Sequence, residues 1–154
     1  MVADIFGPFT TAANKTFKLL LDMDTLAKVT EKANGTAEGE CQTDIAIGLA
    51  GDVSGEVLYR FPEETTIQIA KLMTGMEFSR IDEFVTSLLS EIAKIISENA
   101  VTELSHKDIT CSILQPKIIK GRKPEDDIET AYLFSTNVGT DIGDIEILLK
   151  LNAS

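Results

Sequence analysis

The chain has 154 residues, enough for one domain with its own core, and we expect a single domain over 1–154. It carries 25 acidic against 14 basic residues, a formal net charge of −11. Such a surface repels a phosphate backbone and an anionic bilayer, which argues against nucleic acid or a membrane as partner and favours a basic patch on another protein. The two cysteines, Cys41 and Cys111, lie far apart, and His106 is the one histidine. Metal-ligand spacing is absent, so we expect no metal and two reduced, buried thiols in strand-like runs. The start, MVADIFGPF, has no basic n-region, and no apolar run approaches the roughly 18 residues of a membrane span. A cytoplasmic protein is expected.

Residues 3–22 read as an opening helix, because Phe6, Phe9, Ala13, Phe17, Leu20 and Leu21 recur at spacings of three and four. Gly7-Pro8 is expected to begin its regular part, since proline is tolerated in a first turn. A first strand is expected over 25–32, and NGTAEGE (34–40) as a turn or loop. In CQTDIAIGLAGDVSGEVLYRF, Ile45, Ile47 and Leu49 alternate, as do Val57 and Tyr59, with AGDVSG between them. That pattern is a β-hairpin. Pro62 then opens a helix in PEETTIQIAKLMTG, with Glu63 and Glu64 suited to its first turn and Gly75 to its end. A long helix follows at about 80–105. Strands are expected near 108–114, 116–121, 130–137 and 142–151, with GRKPEDD (121–127) and NVGTDIG (137–143) as turns. The order is helix, strands, two helices, strands. Hairpins predominate, so the fold class is α+β, an antiparallel sheet with three helices.

The long helix divides into faces. At about 100° per residue, with Ser87 at zero, Glu91, Lys94 and Glu98 fall near +40°, −20° and +20°. Val85, Leu88, Leu89, Ile92, Ile95 and Ile96 cluster between about 80° and 200°. The apolar face is expected against the sheet and the polar stripe toward solvent. Read plainly, the stripe is a solvated face with Glu91 and Lys94 as an i,i+3 ion pair. Asn99 falls near 120°, inside the apolar sector, where a buried amide would tie the helix to a neighbour. No glycine-rich phosphate cradle is present, and His106 near the helix end suits the dipole rather than catalysis.

The stretch SLLSEIAKIISENAV resembles the signature helix of the CheC/CheX phosphatases of bacterial and archaeal chemotaxis. That helix reads serine or aspartate, three residues, glutamate, two residues, asparagine, then an SGNA-like run, with a proline some way downstream. Ser87 and Glu91 occupy the first two positions, SENA (97–100) matches the run with Glu98 in place of glycine, and Pro116 in LQPK stands near the expected place. FGPFTTAANKTFKLLL is similar to the family's opening helix, and DIAIGLAGDVSGEVLYRFPEETTIQIAKLMTG to its hairpin and following helix. The opening helix offers no glutamate-x-x-asparagine, since TTAANKT contains no acid. The single-site CheX type is therefore the closer resemblance.

This resemblance implies a protein that binds a phosphorylated CheY-like response regulator and hydrolyses its aspartyl phosphate. The family glutamate, here Glu91, contacts the lysine of the regulator's active site. The family asparagine orients the attacking water. Ser87 and Glu98 belong to the docking face. The protein needs no cofactor of its own, because the regulator supplies magnesium. A homodimer formed through the sheets is also implied, and the strand-rich last third leaves an edge suited to one. One departure stands out: Lys94 occupies the asparagine position. An ammonium has three donors and no acceptor, whereas an amide has both. The resemblance thus leaves two activities open, a phosphatase and a non-catalytic binding module; a purely structural homodimer subunit is a third reading.

Overall fold

The computed structural model describes residues 2–21, 26–30, 42–77, 82–120, 132–140 and 143–151. Helix α1 spans Val2–Leu21, strand β1 Leu26–Thr30, β2 Gln42–Gly51 and β3 Gly55–Pro62. Then come α2 at Glu63–Thr74, α3 at Glu83–Ser105, β4 at Cys111–Ile113, β5 at Lys117–Lys120, β6 at Tyr132–Thr140 and β7 at Gly143–Leu151. The strands form one sheet in the order β1-β6-β7-β3-β2-β4, with β5 also on β2, and every pairing is antiparallel. The expected α+β class with three helices is what these residues build.

The hairpin of β2 and β3 forms because its alternation has one consistent inward face. Ile45 faces Tyr59 across the ladder and Ile47 faces Val57, and all four are fully buried. β7 continues the pattern with Ile145, Ile147 and Leu149. These side chains share one core with Phe9, Ala13 and Phe17 of α1, Ile69 of α2, and Leu89, Ile92 and Ile96 of α3. At the hairpin tip, Gly51 has φ 128°, and a Cβ there would lie 2.6 Å from the Thr110 carbonyl oxygen. Only glycine fits both demands. Asp52 then clasps Thr110 by two hydrogen bonds, its N–H donating to the Thr110 carbonyl at 2.8 Å and its Oδ2 accepting from the Thr110 N–H at 2.9 Å.

The ends of α2 follow the expected chemistry. Pro62 stands at the N-cap, Glu63 and Glu64 fill the first turn, and Gly75 closes the helix with φ 74°. Other boundaries move. α1 begins at Val2, so Pro8 lies inside it rather than at its start. The missing proline donor still leaves a regular helix, and the Thr10 hydroxyl caps the Gly7 carbonyl at 2.8 Å. Leu20 is exposed rather than core, because it faces the groove between α1 and α3. The strand expected from 108 starts at Cys111, since Asp108 takes φ 63° in the turn that ends α3. Residues 137–140, expected as a turn, still belong to β6. The segments 34–40 and 121–127, and Cys41, lie outside the described residues.

The opposite face of the sheet holds two buried rows. Ala46, Leu58 and Leu148 form a small apolar cluster, in register across β2, β3 and β7. One pair along, Asp44, Arg60 and Glu146 line up in the same way. The Arg60 guanidinium lies 3.5 Å from Asp44 and 3.8 Å from Glu146, with Asp44 and Arg60 nearly fully buried. Burial holds the Glu146 carboxyl above the ordinary carboxylate range; Arg60 pulls it down and Asp44 pushes it further up. A carboxyl raised in the fold contributes stability that is complete below its unfolded value of about 4.3 and lost as pH rises through the folded value. Glu146→Gln, which cannot ionise, should therefore gain stability relative to the wild type as pH rises above about 4.3, until the folded carboxyl is fully ionised. Thermal melts at several pH values check this, and a difference independent of pH would contradict it.

Candidate functional site

Helix α3 is set by its caps and by one dominant face. The Asp82 side chain accepts the Val85 N–H at 3.0 Å, satisfying a donor that the first turn leaves open. The buried residues are Val85, Thr86, Leu89, Ile92, Ala93, Ile96, Ser97, Ala100 and Leu104. At about 100° per residue they span an arc from about 140° to about 280° from Ser87. That arc is centred some 70° beyond the apolar sector expected from the large aliphatics alone. The small residues Ala93, Ser97 and Ala100 account for the shift, because their short side chains let the helix backbone approach the core closely on that side.

The rotation has two consequences. Ser87, Glu91, Lys94 and Glu98 are all exposed, and their stripe lies almost opposite the buried arc. It projects from the molecule as a ridge, flanked by Phe84, half-exposed at about +60°. Asn99, expected as a buried tie, is instead exposed, since the buried arc has moved away from it. Glu91 and Lys94 do not form the expected ion pair. The ion pairs resolved among the described residues involve Arg60 with Asp44 and Glu146, and Lys71 with Glu77. Both side chains are thus presented to solvent separately.

Beside the ridge, α1 and α3 enclose a groove of about 780 Å³. Asn14, Lys18 and Leu20 line it from α1, and Ile95, Asn99 and His106 from α3. His106, at the C-cap of α3, is exposed. Cys111 is buried with its thiol 3.7 Å from the Val53 carbonyl. Burial pushes that thiol up, with Asp52 adding to the rise and backbone hydrogen bonds at Ala50 and Ser112 opposing it. A thiol raised in this way is a poor nucleophile. Among the described residues no group of three histidine, cysteine or acidic side chains could hold a metal.

One contact was not legible in the sequence. The Tyr59 hydroxyl and the Ser97 hydroxyl lie 2.7 Å apart, both residues completely buried, joining β3 to α3 across 38 residues of chain. The alternation of β3 placed Tyr59 inward, but nothing in a linear reading pairs it with a serine of the long helix.

Exposure of Asn99 changes what its removal should do. Asn99→Ala deletes a surface amide at a helical position, so unfolding free energy should move by no more than about 0.5 kcal/mol. Chemical denaturation of the two proteins checks this. A loss of 1–3 kcal/mol, on the order expected for an orphaned buried partner, would contradict the placement.

The sequence matches outside relatives along much of this architecture. The family model for "Chemotaxis phosphatase CheX" matches residues 43–131, which includes β2, β3, α2 and the whole of α3. A CheY-P phosphatase CheX of Thermotoga maritima is 29% identical over 77 residues, covering 49% of this chain and 50% of the relative. The match therefore spans only half the length of that relative. Among solved structures, a CheC-like superfamily protein from Shewanella sp. PV-4 superposes with a TM-score of 0.82 at 21% identity, covering 99% of this chain and 100% of the other. A chain of a CheX-CheY-BeF3-Mg+2 complex from Borrelia burgdorferi gives 0.79 at 22% identity, covering 96% of this chain and 97% of the other. At these identities the likeness shows the fold.

Proposed function

The chain belongs to the CheX family of chemotaxis phosphatases, and we propose that it docks the phosphorylated receiver domain of a CheY-like response regulator on α3 and hydrolyses its aspartyl phosphate. The observation that carries this reading is the ridge itself. Glu91 stands exposed in the middle of it, with Ser87 one turn before and Lys94 and Glu98 after, inside the segment that matches the family. The relative in Thermotoga maritima is a CheY-P phosphatase, and one structural neighbour was solved with CheY. Both support the choice of partner.

In this reading Glu91 supplies the anionic contact to a lysine of the receiver, and Ser87 and Glu98 extend the docking face along the ridge. Phosphoryl transfer needs little covalent chemistry from the protein, so positioning of the attacking water dominates. The protein contributes no metal of its own, and the magnesium that balances phosphate charge belongs to the receiver. Lys94 stands where a water-orienting amide would serve. Its ammonium can stabilise phosphoryl oxygens but cannot accept a hydrogen bond from the water. This single side chain favours a second reading, in which the protein binds the regulator without hydrolysing its phosphate.

Two substitutions separate the readings. Glu91→Ala should leave stability within about 0.5 kcal/mol while weakening receiver binding about tenfold or more, the loss of one charge-assisted hydrogen bond. Titration calorimetry with a beryllofluoride-activated receiver measures this, and equal affinities would remove the ridge as the contact. Lys94→Asn should raise receiver dephosphorylation by about 10²–10⁴-fold, the usual contribution of a positioned group. The readout is phosphate release with the wild type, the variant and no added protein. A wild type as fast as the variant would assign the work to Lys94. A variant that binds without hydrolysing would leave the binding-module reading in place.

A further inference from the structure

We infer that Tyr59, through its hydrogen bond to Ser97, is a positioning residue that sets the rotation of α3 about its own axis and thereby the direction in which Glu91 and Lys94 point. Its functional consequence rests on the docking reading above and deepens it.

The tether is anchored where the sheet is most constrained. Tyr59 lies in β3, which is paired along its length with β2 on one side and β7 on the other, facing Ile45 and Ile147. Its hydroxyl is fully buried, and burial raises its pKa far above the ordinary phenol value. It therefore stays a neutral hydroxyl at any working pH, and the bond does not switch. The partner, Ser97, is one turn after Lys94 and directly before Glu98.

Around Ser97 this flank of α3 is short, and its larger buried side chains, Thr86 and Leu104, lie toward the helix ends. Ala93 and Ala100 sit on either side of Ser97 on the buried arc. Their methyl groups exclude water but define no direction, since apolar burial is non-directional. A hydrogen bond weakens steeply as its angle departs from linear, so it resists rotation where methyl packing does not. The lever is short and sensitive. With side chains included, a helix has a radius of about 5–6 Å, so turning α3 by about 10° displaces the ridge by about 1 Å. A misplacement of about 1 Å costs about 10²-fold in a reaction that depends on positioning.

The test uses Tyr59→Phe, Ser97→Ala and the double variant. Ser97→Ala leaves the buried Tyr59 hydroxyl without its partner; the double variant removes both groups, which restores an apolar contact of similar shape. The melting temperature of the double should therefore recover to within about 3 °C of the wild type. In Tyr59→Phe the serine can turn to a carbonyl of its own helix, so that variant remains folded if the double does not. If the bond served stability alone, function would recover with the melting temperature. We expect instead that the double variant, or Tyr59→Phe in its place, binds a beryllofluoride-activated receiver at least about tenfold more weakly. Glu91→Ala should also cost less affinity in that background than in the wild type. A second readout needs no partner. Nitroxide labels at Lys94→Cys and Gln68→Cys, with the native cysteines replaced, report the setting of α3 against α2. The distance distribution should shift or broaden when the bond is removed. An unchanged distribution overturns the inference, and so does wild-type affinity in the double variant. Failure of the wild type to bind any receiver would refute the docking reading and leave the distance measurement to decide the positioning.

Discussion

The close seating of α3 on the central strands is the constraint from which the molecule's outward chemistry follows. Ala93, Ser97 and Ala100 admit the helix backbone to the core on one flank, while Leu89, Ile92 and Ile96 fill the rest of the contact. A helix seated by its large aliphatics alone would be centred near Ile92. Seated as it is, α3 turns Glu91 and Lys94 to the point farthest from the core and frees Asn99 to the groove beside α1. Burial on one side and presentation on the other are thus one event, because a helix has only one rotation to set.

Those elements were legible whose pattern has a single period and an unambiguous stop. The β2–β3 hairpin was readable because Ile45, Ile47, Val57 and Tyr59 alternate around a glycine-containing turn. The bounds of α2 were readable because Pro62 and Gly75 each have one favourable place in a helix. The orientation of α3 was only half readable, since small residues carry little hydrophobic signal yet decide how near a helix can come. Ala93 and Ala100 counted for little in the periodicity and for much in the packing. The start of β4 was missed because Asp108 adopts a left-handed conformation that its sequence neighbours do not announce. On the candidate site, the exposure of Ser87, Glu91, Lys94 and Glu98 followed from spacing alone. Their relation to a phosphorylated regulator came only from likeness to a family. The Tyr59–Ser97 bond had no local signal, being a contact across 38 residues.

The buried row of Asp44, Arg60 and Glu146 shows what the sheet tolerates away from that site. Two carboxylates share one guanidinium there, with Asp44 and Arg60 almost fully buried. Burial holds the Glu146 carboxyl above the ordinary carboxylate range, with Arg60 opposing the rise and Asp44 adding to it. A mixed row of this kind stabilises less than an apolar one of the same volume would. It stands beside the buried apolar row of Ala46, Leu58 and Leu148 on the same face of the sheet.

The same economy of charge bears on Lys94. In a chain of net charge −11, a lysine between two glutamates on an exposed ridge lowers the local negative potential that a phosphoryl group must approach. An asparagine in its place would orient water better and leave the approach less favourable. Because Glu91 and Lys94 are not paired with each other, neither function is cancelled by the other. Long-range attraction and short-range orientation are separable contributions, the first acting on encounter and the second on the reacting geometry. If the chain acts on a phosphorylated receiver as proposed, the residue at position 94 exchanges one for the other: an ammonium favours arrival and retention of the partner, and an amide favours the displacement at phosphorus.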